Sequence, residues 1–201
     1  DGVLFSGDMT RLILCSNKKK GSYKIPNTVR TIDSHAFYLC EKLASVTIPD
    51  SITDIPSYAF KNCSELKTFT IPHSVISIGD SAFCGCISLE SVVIPDSVTS
   101  IGDGAFCDCI SLKSVVIPDS VTSIGDRAFC DCTSLKSVVI TNGVTAIGDY
   151  AFSYCKKITE FFIPSSVSSI GDNPFIKCER LMRIEVAEGS NHFKVVDGVL
   201  F

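Results

Sequence analysis

The chain has 201 residues, and no apolar stretch in it approaches the ~20 residues that a membrane-crossing helix needs. Positive charge is not in excess: 18 Lys and Arg stand against 22 Asp and Glu, for a net charge of -4. That balance argues against nucleic acid as the main partner, because phosphate recognition wants Lys and Arg clustered on one face. The only dense basic run, Lys18-Lys19-Lys20, lies between Ser16-Asn17 and Gly21-Ser22 and reads as a solvated loop. The chain has no Gly-rich phosphate loop, no nucleophile elbow and no zinc-protease helix. Its three His residues (His35, His73, His192) sit in no metal or catalytic spacing and read as surface residues, so no catalytic residue, cofactor or metal is expected. The N-terminus lacks a charged leader, apolar segment and cleavage site, so a secretion signal is expected to be removed or to lie outside this segment. Hydrophobic residues are plentiful at 45%, and with 20% charged residues the chain is expected to fold around one sizeable core.

What the chain does have is a ruler of 23 residues. Ile25, Ile48, Ile71, Ile94, Ile117, Ile140, Ile163 and Val186 fall on it, as do Cys40, Cys63, Cys86, Cys109, Cys132, Cys155 and Cys178. Ala-Phe pairs keep the same beat from Ala36-Phe37 to Ala151-Phe152, with Pro174-Phe175 as the last variant. A unit this short cannot bury its own apolar face, so neighbouring units must stack into a continuous core.

Leu112 to Cys132 serves as the type unit. Val115 and Ile117 alternate with Ser114 and Val116, the period of a half-buried strand, and Pro118, which lacks an N–H, ends it. Strands are therefore predicted near Val46, Phe69, Val92, Val115, Val138, Phe161 and Ile184. Val121 and Ile124 predict a second extended or turn segment, and Gly125-Asp126 a corner. The corner position holds Ser34, Ser57, Asp80, Asp103, Asp126, Asp149 and Asp172, residues that read as N-caps of a single helical or 3-10 turn carrying Ala-Phe and Cys inward. The expected architecture is an α/β repeat: parallel strands ~4.8 Å apart on one face of a right-handed solenoid, with short helical turns on the other.

The eleven Cys cannot all pair within the chain, and the periodic ones read as small, soft core groups. Cys84, Cys107 and Cys130, each two residues before a periodic Cys, are expected to be free thiols, since a zinc site would need four converging thiolates and the inward ladder cannot turn outward. A calcium stack along the Asp ladder would need six to eight oxygens, whereas one carboxylate per unit recurs. On the outward face of the strands, Thr47, Thr70, Val93, Val116, Val139, Phe162 and Glu185 align, flanked by Lys113, Lys136 and Glu160. Val93, Val116, Val139 and Phe162 form the candidate protein-binding strip, although cross-strand pairing of β-branched residues is a sufficient structural reason for the valines.

The unit Leu-x-x-Val-x-Ile-Pro-x-x-Val-x-x-Ile-Gly-x-x-Ala-Phe-x-x-Cys, almost unbroken from Leu43 to Cys178, resembles the BspA-like branch of leucine-rich repeat proteins. Common leucine-rich repeats carry Asn or Cys shortly after the strand; here that stretch reads Pro-Asp-Ser-Val, so their ligand rules do not transfer. The resemblance implies a leucine-rich-repeat solenoid from a secreted or cell-surface protein, with adhesion to a protein of a host or neighbouring cell, or self-association, as its role. A passive spacer within a surface protein is the alternative. Residues 1–24 are expected to form an irregular capping coil, 25–185 the regular repeats, and 186–201 an irregular coil. Because Asp1-Gly2-Val3-Leu4-Phe5 recurs as Asp197-Gly198-Val199-Leu200-Phe201, that last coil is expected to continue into a longer array.

Overall fold

The computed structural model describes residues 2–196 and 199–200. Asp1, Asp197, Gly198 and Phe201, which complete the two copies of the recurring pentapeptide, lie outside the described residues. The backbone winds into a solenoid whose 23-residue coils stack with every side-chain ladder in register. The wide strands fall where the alternation places them: Leu43–Thr47, Thr68–Thr70, Ser91–Val93, Ser114–Ile117, Ser137–Ile140, Glu160–Ile163 and Arg183–Val186. They pair parallel in couples with a shift of one coil, Gly21–Lys24 with Leu43–Thr47, Thr68–Thr70 with Ser91–Val93, Ser114–Ile117 with Ser137–Ile140 and Glu160–Ile163 with Arg183–Val186, as in Val115 with Val138 and Phe161 with Ile184. Neighbouring couples lie side by side, joined by bonds such as Lys113 N–H to the Glu90 carbonyl at 3.2 Å. Among the described residues, antiparallel pairing occurs at the two ends alone, between Val3–Phe5 and Arg11–Cys15 and between Val195–Val196 and Val199–Leu200.

The second extended segment is real and forms its own sheet. Six two-residue strands, from Asp54–Ile55 through Ser123–Ile124 to Ser169–Ile170, pair parallel in chain order. Each coil thus points eight side chains inward; in the type unit these are Leu112, Val115, Ile117, Val121, Ile124, Ala128, Phe129 and Cys132, all buried. The Phe side chains stack face to face along the axis, with centroids 5.2 Å apart for Phe83 and Phe106 and 5.3 Å for Phe106 and Phe129. From Cys63 onward each ladder thiol donates to the Phe carbonyl 26 residues earlier, at 3.1 to 3.3 Å. Cys40 to Cys155 are fully buried, and Cys178, in the last coil, is half-buried.

The far face departs from expectation: no α- or 3-10 helix is present among the described residues. Two residues per coil, four apart, adopt the left-handed conformation, for example Tyr58 (φ 62°) with Asn62 (φ 61°), and Arg127 (φ 54°) with Asp131 (φ 56°). A left-handed residue at the third place of a four-residue turn makes a tight turn and breaks a helix, which needs consecutive right-handed residues. The cause lies between coils. The Tyr58, Phe60 and Asn62 N–H groups donate to the Asp80, Ala82 and Cys84 carbonyls of the next coil at 2.8 to 2.9 Å. A helical turn would aim those donors along its own axis; the alternating backbone aims them at the neighbour, where they form a third ladder.

The N-cap reading of the Asp ladder falls with the helix. Asp126 Oδ1 accepts the Asp149 N–H at 2.8 Å, and Asp103, Asp149 and Asp80 treat the following coil alike. Each carboxylate therefore ties its coil to the next. The preceding Gly permits the approach: a Cβ on Gly125 would lie 2.6 Å from both the Gly102 carbonyl carbon and Asp103 Oδ1. Asp126→Ala should cost about 1.5 kcal/mol by removing one charge-assisted hydrogen bond. Asp126→Asn, which keeps an acceptor oxygen, should recover most of it in urea unfolding. Calcium should leave the melting temperature of both variants unmoved.

Candidate functional site

Pleating sends alternate residues of the wide strands to solvent, and the 23-residue stacking, with parallel in-register pairing inside each couple of strands, sets each alternate position in a row. One row runs Ser45, Thr68, Ser91, Ser114, Ser137, Glu160, Arg183; the other runs Lys24, Thr47, Thr70, Val93, Val116, Val139, Phe162, Glu185. The second row brings the four strip residues together. Val93, Val116, Val139 and Phe162 are 68%, 56%, 47% and 49% exposed, high values for side chains of this kind in consecutive strands.

The two ends of the strip differ. Around Val139 and Phe162 lies a shallow depression with an apolar floor and charged margins supplied by Lys136, Glu160 and Glu185. Arg183 and Glu185 form an ion pair on the adjoining strand, so Phe162 sits beside a charge pair on one side and Val139 on the other. At the opposite end a second depression joins Val93 to Thr47, Thr70, Pro72, His73 and Pro95. Sequence reasoning missed this second hollow. Its signal is present, since Pro72 and Pro95 follow their strands at the same repeat position and His73 stands where other coils hold Asp50, Asp96 and Asp119. Along the flank, Lys113 pairs with Glu90 across one coil and holds that carboxyl below its usual range.

The histidines stay apart from this face except for His73. His35 stacks on Tyr58 at 4.7 Å, and His192 is exposed near the last coil. No helix among the described residues is long and apolar enough to cross a membrane.

Comparison with known proteins agrees with this geometry. The family model described as "BspA type Leucine rich repeat region" matches in six copies over residues 14–109 and 99–195. A leucine-rich cell surface protein of Faecalibacterium prausnitzii shares 35% identity at a TM-score of 0.85, over 98% of this chain and 55% of its own. A leucine-rich repeat protein of Bacteroides ovatus shares 31% identity at a TM-score of 0.82, over 92% of this chain and 52% of its own. The T. pallidum leucine-rich repeat protein shares 30% identity at a TM-score of 0.78, over 90% of this chain and 87% of its own. The chain thus spans about half the length of the first two. None of the curated proteins searched matches it. Repeat, register and buried ladders together make this chain a member of the BspA-type leucine-rich repeat family.

Proposed function

We propose that this solenoid is an extracellular binding and adhesion module whose sheet face docks a protein of a host or neighbouring cell, or a second copy of itself. The observation that carries the reading is the row of Val93, Val116, Val139 and Phe162, one per coil at the same repeat position and all exposed, with Val116 paired to Val139. A contiguous apolar row with charged margins matches the anatomy of a protein interface, where an apolar centre is ringed by polar groups. The Faecalibacterium relative is described as a cell surface protein, which supports the same placement for this chain. The antiparallel hairpin of Val3–Phe5 with Arg11–Cys15 fits the capping role proposed for the coil of residues 1–24. No catalysis is assigned.

Phe162 should be the main anchor, because it offers the largest apolar area in the row and sits in a depression. Phe162→Ser combined with Val139→Ser should abolish adhesion to host-cell surfaces or self-association in ultracentrifugation. Both side chains point away from the core, so the loss of stability should stay within about 2 kcal/mol. A double mutant that adheres and associates like the parent would replace this reading with the spacer.

A further inference from the structure

The turn face carries a cluster that the sheet face does not use. Cys84, Cys107 and Cys130 occupy one place in three successive coils, two residues before buried Cys86, Cys109 and Cys132. Cys84 and Cys107 are half-exposed, whereas Cys130 is buried. The sulfurs of Cys84 and Cys107 and a carboxylate oxygen of Asp108 all lie within 4.8 Å of one another, the only such trio of metal-ligating side chains among the described residues. Cys107 Sγ stands 3.6 Å from Asp108 Oδ2.

Two neighbours keep the trio open to solvent. The turn position that carries His35, Tyr58, Arg127 and Tyr150 in other coils carries Ser81 and Gly104 here. Gly104 adopts the left-handed conformation at φ 59°, and the Cβ it lacks would stand 3.7 Å from Cys107 Cβ. The two thiols consequently line a surface depression with Ser81, Asp103, Asp126 and Arg127. Three carboxylates, those of Asp103, Asp108 and Asp126, surround it, against the cations Arg127 and Lys61.

We propose that Cys84, Cys107 and Asp108 form a binding site for a single thiophilic divalent cation of the zinc class. Two thiolates and a carboxylate are a borderline-soft donor set, and water completes a tetrahedron. Sulfurs bound to one tetrahedral ion at about 2.3 Å stand about 3.8 Å apart, so the side chains need close by no more than about 1 Å. The four converging thiolates that the sequence lacks are not required. Binding replaces the two S–H protons with one cation and releases the protons to solvent.

Titration of the reduced protein with Cd2+ tests the site, since thiolate-to-cadmium charge-transfer absorption reports sulfur ligation directly. The absorption should saturate at one equivalent and be displaced by Zn2+. Cys84→Ser or Cys107→Ser should weaken binding by more than about a hundredfold, because even an outer-shell loss costs about 10–100-fold. Asp108→Asn, which the left-handed turn tolerates, should weaken it by roughly tenfold. Cys130→Ser should bind as the parent does, and all four variants should keep the parent's circular dichroism. Absorption that persists undiminished in Cys84→Ser and Cys107→Ser, or that Cys130→Ser removes equally, overturns the assignment, as does the lack of saturable binding.

Discussion

Raising the pH from about 8 to about 11 should unfold this protein, and the ladder cysteines are the reason. Burial pushes the Cys63 thiol up from its ordinary 9.0 to about 12, and desolvation likewise raises Cys86, Cys109, Cys132 and Cys155. Below 9.0 the folded and unfolded chains both keep these protons, so stability is fully present. Above it the unfolded chain releases protons that the solenoid retains, and stability falls until the pH passes the folded value. Each such thiol costs about 1.4 kcal/mol per pH unit, or about 2.7 kcal/mol two units above its ordinary value. Five of them together rival the ~5–15 kcal/mol that holds a typical domain folded. Urea unfolding at a series of pH values should show the decline, and Cys109→Ala should flatten its slope by about 1.4 kcal/mol per unit. An unchanged slope in that variant would remove the ladder thiols as the cause.

The same ladders show which parts of the fold a sequence can carry. The strands were legible because period-two alternation and Pro118 act within one coil, and the parallel register was legible because the 23-residue beat leaves no other alignment for Val115, Phe129 and Cys132. The far face was misread because Asp126-Arg127-Ala128-Phe129 has the local chemistry of a capped turn, while the decisive donors and acceptors sit 22 or 23 residues away. Asp126 Oδ1 meets the Asp149 N–H, not one in its own coil, and no reading of a single unit separates those partners. Left-handed Tyr58, Arg127 and Tyr150 also give no warning, since side chains of this kind rarely adopt that conformation. The strip of Val93, Val116, Val139 and Phe162 was legible as an alignment, because outward positions inherit the register of inward ones. The depressions beside it were not, because each is lined by residues from several coils at once, such as Thr47, Thr70 and Val93 in one and Val139, Phe162 and Glu185 in the other. The Cys84, Cys107 and Asp108 trio was half legible: the Cys-x-Cys spacing marks the thiols, but Asp108 joins them only through the left-handed turn it occupies.

Phe106→Ala should be among the most damaging single substitutions in the chain, at about 3–5 kcal/mol. Phe106 is fully buried and stacked on both sides, 5.2 Å from Phe83 with rings 5° apart and 5.3 Å from Phe129 with rings 7° apart. Truncation leaves a cavity that the ladders above and below hold open, because neighbouring coils are fixed by backbone hydrogen bonds such as Phe83 N–H to the Ala105 carbonyl at 2.8 Å. In a quasi-one-dimensional stack an interior loss weakens two interfaces at once, so unfolding should also become less cooperative, with a lower denaturant slope. Phe175 provides the contrast. It lies in the last coil, half-buried, with its ladder partner Phe152 at 6.2 Å and Phe161 packed obliquely at 4.5 Å. Phe175→Ala should cost roughly 1–2 kcal/mol and leave the slope intact. Phe106→Leu keeps most of the volume and should recover the greater part of the loss. Equal costs for Phe106→Ala and Phe175→Ala would mean that the stacked rings merely occupy space, and that the three hydrogen-bond ladders alone set the stability of each coil.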